Sequence, residues 1–149
     1  RAFRRRLMDW KALFVATKAI SLIAWALLIL GPRGHRTAAI ILYFGVGLLC
    51  LAYMAMFAAQ YERVFQGDFT GIEGIRALFA EDGGIVLGWT HYLAFDLFIG
   101  QWIAKDADHK GFSRLVQAPV LLLTLFAGPI GLLIWLLIRE RRARASARG

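Results

Sequence analysis

Between Gly88 and Lys105 the chain reads Gly-Trp-Thr-His-Tyr-Leu-Ala-Phe-Asp-Leu-Phe-Ile-Gly-Gln-Trp-Ile-Ala-Lys, an apolar run that carries His91, Asp96 and Gln101. Imidazole and carboxylate are side chains that take and give protons, so general acid–base work is the chemistry this run offers. A charged carboxylate at the centre of a membrane helix costs about 2.5–3.5 kcal/mol on insertion scales, and such residues default to a functional role. The plainer alternative is a polar residue that hydrogen-bonds a neighbouring helix and fixes packing. At ~100° per residue, Trp89, Tyr92, Asp96, Gly100 and Ile103 share one helical face. His91, Phe95, Phe98 and Trp102 share a nearly opposite one. Asp96 and His91 are therefore not a side-by-side pair, and each needs a partner on another helix.

For Asp96 the candidate is Lys18, which interrupts the first apolar run about two turns in and enters from the same side as His91. A Lys18–Asp96 contact, or one between Asp96 and a protonated neighbour, is expected. Trp89, Tyr92 and Trp102 are either ligand-facing aromatics or members of an interfacial belt. For His91, hydrogen bonding between helices competes with catalysis. Asp106, Asp108 and His109 have metal-ligand chemistry but too few ligands at that spacing for a closed site, so a solvated turn and no metal are expected. Cys50 is the one cysteine and lies in an apolar run, which excludes an intrachain disulfide and a thiolate metal site. No phosphate-binding glycine loop, nucleophile elbow or paired-histidine zinc helix is present, and no cofactor is expected.

The elements that must position these residues are apolar helices. The chain has 149 residues, of which 59% are hydrophobic and 19% charged. That balance is more apolar and less charged than a soluble domain's, and points to a membrane protein of one domain over residues 1–149. The expected fold is all-α, with four transmembrane helices over about 12–30, 38–59, 85–104 and 115–138. Gly31-Pro32 ends the first, and Gly45 and Gly47 in the second allow a neighbour close approach. Thr70 and Glu73 have capping-box spacing ahead of Ile72, Ile75, Leu78 and Phe79, which predicts a short amphipathic interfacial helix between the second and third spans. Pro129 cannot donate to the carbonyl of Leu125, so the fourth span should kink there, either as a packing kink alone or, as kinked helices often do, beside a cavity.

The net charge of +8 sits mostly at the chain ends beside apolar runs, a placement that suits anionic headgroups and not nucleic acid. Four spans put both termini on one side. Thirteen Lys and Arg then fall on the terminal side and five (Arg33, Arg36, Lys105, Lys110, Arg114) on the other, which places both ends in the cytoplasm of a multi-pass inner-membrane protein. The first run lacks a small-residue cleavage site, so no cleavable signal peptide is expected.

The run 88–103, followed by Ala-Pro-Val-Leu-Leu-Leu-Thr-Leu-Phe-Ala-Gly-Pro-Ile-Gly-Leu-Leu (118–133), resembles the abscisic-acid-deficient-four-like family of small four-span membrane proteins. Its plant plastid member is required to form neoxanthin from violaxanthin. The resemblance implies a carotenoid, xanthophyll or similar polyene isoprenoid held among the spans. It also implies an isomerisation in which an epoxide opens as a neighbouring proton leaves to give an allene. By that resemblance Asp96 and His91 are the catalytic candidates, in unassigned order. Trp89, Tyr92, Phe95, Gln101, Trp102 and Pro129 are the substrate-binding candidates.

Two other readings stand beside the isomerase. One is a non-catalytic pigment- or lipid-binding accessory subunit of a larger membrane complex, or a homo-oligomer. The other is a small transporter or proton-linked channel, for which the ionisable residues are few and no inverted repeat is visible.

Overall fold

The computed structural model describes residues 8–146, with side chains to Arg141. The described residues are all-α, without a strand. Helix α1 spans Trp10–Leu30, with Asp9 accepting from the Ala12 amide at its start and Gly31-Pro32 at its end. Helix α2 runs from His35 to Ala59 and passes through a π-helical segment, Ile41–Gly47. Two short helices follow, α3 (Tyr61–Phe65) and α4 (Ile72–Leu78), then the long α5 (Asp82–His109). The chain ends in α6 (Arg114–Phe126) and α7 (Gly128–Ser146).

Helices α1 and α2 are long and apolar enough to cross a membrane, at mean hydropathy 2.2 each. Only 28% and 22% of their apolar windows are buried, less than the covered core helix of a soluble domain would show. Ile23, Leu30, Tyr43 and Phe44 face outward, each more than two-thirds exposed.

Helices α1 and α5 lie parallel. Phe14 meets Trp89 at 5.9 Å between ring centroids, and Trp25 packs on Gly100, so both contacts join residues 75 positions apart. Helix α2 returns antiparallel between them, and Gly45 lets it close on Ala24 and Leu97. The core at this junction is Ala24, Trp25, Leu28, Ile41, Leu97 and Ile103, all nearly fully buried. At the opposite end Gln60 donates to the Gly83 carbonyl at 3.0 Å, and Arg63 pairs with Glu81, tying the end of α2 to the start of α5.

Helix α4 forms where the apolar pattern placed it, but without the capping box. Its N-cap is Gly71, and the Thr70 amide and hydroxyl both donate to Asp68 at 2.9 and 2.6 Å. The local Asx-type turn outcompetes the cap for that hydroxyl.

The largest departure is at residues 115–138, which do not form one span. Helix α6 stops at Phe126, the backbone turns at Ala127 (φ −147°, ψ 66°), and α7 folds back along α6. Three contacts fix the reversal. A Cβ on Gly131 would stand 2.2 Å from Thr124 Oγ1; Phe112 and Trp135 meet edge-on at 5.1 Å; Arg139 reaches Asp106 at 2.9 Å. In a continuous helix, Arg114 and Trp135 would be about 30 Å apart at 1.5 Å per residue. The pair α6–α7 is a helical hairpin whose tip lies beside Asp96 and whose open end lies beside Asp106.

The expected fourth span is thereby corrected: residues 115–138 belong to two helices and not to one. Arg139 and Arg141, counted with the N-terminal end in the thirteen-to-five balance, belong to the Asp106 end instead. That balance no longer decides the orientation.

Candidate functional site at the hairpin tip

Asp96 sits midway along α5 and is half-buried against the turn that joins α6 to α7. Gly128, the first residue of α7, is what makes room for it: a Cβ there would fall 2.3 Å from Asp96 Oδ1. One turn earlier on α5, Tyr92 donates its hydroxyl to the Leu125 carbonyl at 3.1 Å and lies beside the Asp96 carboxylate. That carbonyl is the one Pro129 cannot serve, and a neighbouring helix supplies the missing donor. Asp96 Oδ2 is buried and without a hydrogen-bond partner. The site therefore holds a carboxylate oxygen free to accept, a phenol beside it, and the N-terminal end of α7, whose partial positive charge favours an anion.

Below the tip, toward the Trp10 end of α1, no hairpin covers α5. Trp89 is 41% exposed there and stacks obliquely on Tyr92 at 5.4 Å and on Phe14. Phe14, Trp89 and Tyr92 thus form a continuous aromatic surface that leads to the carboxylate.

The expected Lys18–Asp96 contact is absent. Lys18 is exposed, with its ammonium 5.1 Å from the centre of the Phe14 ring. The register puts Lys18 level with Leu93, half a turn from His91. Helical side chains, however, tilt toward the N-terminus, which carries this one back toward Phe14 and away from Asp96. His91 lies on the outer face of α5, exposed, stacked on Phe95 at 4.6 Å and tilted against Tyr53 at 5.6 Å. Asp96 and His91 do not meet. Phe95 is 59% exposed on that same outer face. Trp102 lies under the Arg139 guanidinium at 6.0 Å. Gln101 is buried and donates to the Ala38 carbonyl at 2.6 Å, joining α5 to α2. Pro129 is at the hairpin tip, next to Gly128.

Sequence reasoning missed the residues that hold the hairpin in place. Helix α5 continues to His109, so Asp106 and Asp108 lie on its last turns and not in a loop. Asp106 accepts from Trp135 Nε1 at 3.0 Å and from Arg139 Nε at 2.9 Å, holding α7. Asp108 accepts from Gln117 Nε2 at 2.7 Å, holding α6, and pairs with Arg33 at 3.4 Å. Burial lowers the Arg33 guanidinium below its ordinary value; Asp108 opposes that shift and Arg114 adds to it. Among the described residues no cluster of three metal-ligating side chains occurs. The signal in the sequence was two acids and two arginines at the ends of apolar runs, each needing an opposite charge.

No curated protein and no solved structure matches the chain. A model of the ABA DEFICIENT 4-like family matches residues 12–135, which take in every residue of the site from Phe14 to Pro129. The chain belongs to the ABA4-like family.

Proposed function

We propose that this is an integral membrane protein that binds a polyene isoprenoid of the carotenoid or xanthophyll class and isomerises it beside Asp96. Helices α1, α2 and α5 are its crossings, the α6–α7 hairpin dips in from the Asp106 end, and a cell inner membrane is its location. The ABA4-like family is linked to carotenoid and neoxanthin formation in plants, which supports the ligand class. The observation that carries the reading is the free Asp96 Oδ2 beside the Tyr92 hydroxyl, at the end of an aromatic surface open toward lipid.

The reaction of neoxanthin-synthase type needs one proton delivered and one removed. With substrate bound, the Tyr92 O–H turns from the Leu125 carbonyl and donates to the epoxide oxygen as the C–O bond breaks. Asp96 removes the proton from the adjoining polyene carbon, and the electron pair released forms the second double bond of the allene. Proton transfer from Asp96 to the phenolate restores both groups, so atoms and charge balance. Phe14 and Trp89 hold the flat chain. His91 and Phe95, on the other face, have no part in this step.

Pigment analysis of a host that makes epoxy-carotenoids tests it, with the wild type beside Asp96→Asn and Tyr92→Phe. Each substitution should lower conversion by about 10²–10⁴, the usual worth of a positioned acid or base. A purified protein that retains pigment but never changes its retention time would instead support the binding-subunit reading.

A further inference from the structure

A cavity of about 300 Å³ opens at the Asp106 end, between the α1–α2 connection and α5, remote from the hairpin tip. Its floor is apolar, made by Leu28, Ile41 and Ala104, and its rim carries Arg33, His35 and Lys105. Arg33 is committed to Asp108 and Gln117. Lys105 and His35 are exposed and, among the described residues, have no hydrogen-bond or ion-pair partner. Asp108, the one acid in the lining, is neutralised by Arg33. The rim is therefore left with uncompensated positive charge above an apolar floor, at the level where α1 ends and α2 begins.

We propose that this cavity seats the phosphate headgroup of one anionic phospholipid, with Lys105 and His35 on the phosphate and the first acyl methylenes against Ile41 and Leu28. A free inorganic anion offers the same phosphate chemistry but gains nothing from the apolar floor. The proposal shares the membrane placement of the proposed function and is independent of the polyene.

The test is lipid retention by the whole protein, reconstituted in nanodiscs of equal phosphatidylglycerol and phosphatidylcholine, extracted in neutral detergent and weighed by native mass spectrometry. The wild type should keep one phosphatidylglycerol in preference to phosphatidylcholine. Lys105→Gln with His35→Gln should reduce that preference about fivefold or more, the order expected for losing a basic group at an anionic headgroup. Lys105→Arg should keep it, and so should Arg76→Gln, a charge change at the far end of the molecule. Excess inorganic phosphate should not displace the lipid. Equal retention of the two lipids, an effect of Arg76→Gln as large as that of the double variant, or ready displacement by phosphate would each overturn the assignment. Failure of the polyene reading would leave this result untouched, because the readout contains no pigment.

Discussion

The hydroxyl of Tyr92 on α5 donates, at 3.1 Å, to the carbonyl of Leu125, the acceptor that Pro129 leaves without its helical donor. A break in one helix is thus stabilised by a side chain from another, and the same side chain flanks Asp96. Removing the hydroxyl strands a partly buried carbonyl, which costs about 1–3 kcal/mol. Tyr92→Phe should lower the unfolding free energy in detergent by that amount, read as a lower midpoint. An unchanged midpoint would show that water or another donor serves Leu125.

Gly128→Ala brings a methyl group onto the carboxylate of Asp96. The tip must move, at a cost of about 1–3 kcal/mol for overpacking. Asp96→Ala should recover most of that loss in the double variant, because it removes the atoms being struck. Thermal unfolding of the two single variants and the double one measures the coupling; simple additivity would show that Gly128 is needed for something other than room.

The hairpin makes a prediction about sides. In a Cys50→Ser background, single cysteines at Lys110 and at Arg141 should react with a membrane-impermeant thiol reagent from the same side of sealed vesicles. A cysteine at Lys11 should react from the opposite side. Labelling of Lys11→Cys and Arg141→Cys from one side would restore four crossings and remove the hairpin.

Lys18 is exposed, and its ammonium lies over the Phe14 ring. Exposed cation–π pairs contribute about 0.5–1 kcal/mol. Lys18→Met should therefore change stability by no more than that and leave pigment conversion as in the wild type. A large loss of conversion would return Lys18 to the site.

The helices α1, α2 and α5 were legible because uninterrupted apolar runs, Gly31-Pro32 and helical periodicity are local signals. The face shared by Trp89, Tyr92 and Asp96 followed from the same periodicity. The reversal at Gly128-Pro129 was legible only as a kink. A run of 24 uncharged residues matches a bilayer in length whether it crosses or folds back, and composition cannot separate the two. What decides is Asp106 reaching Arg139 and Trp135, contacts about thirty positions apart that no window can see. Lys18 failed for a different reason: depth follows from residue count, but direction follows from the tilt of the Cα–Cβ bond.

Because the hairpin stops at Asp96, the molecule has unequal girth. Among the described residues, five long helices surround the core near Ala104, and three near Trp89, where only the end of the short α4 adds Phe79 against Gly88. Placed in a bilayer as proposed, such a wedge would displace more lipid from one leaflet than from the other. Bilayers already bent toward its narrower end should accommodate it with less elastic distortion than flat ones, which would bias where in a cell it gathers.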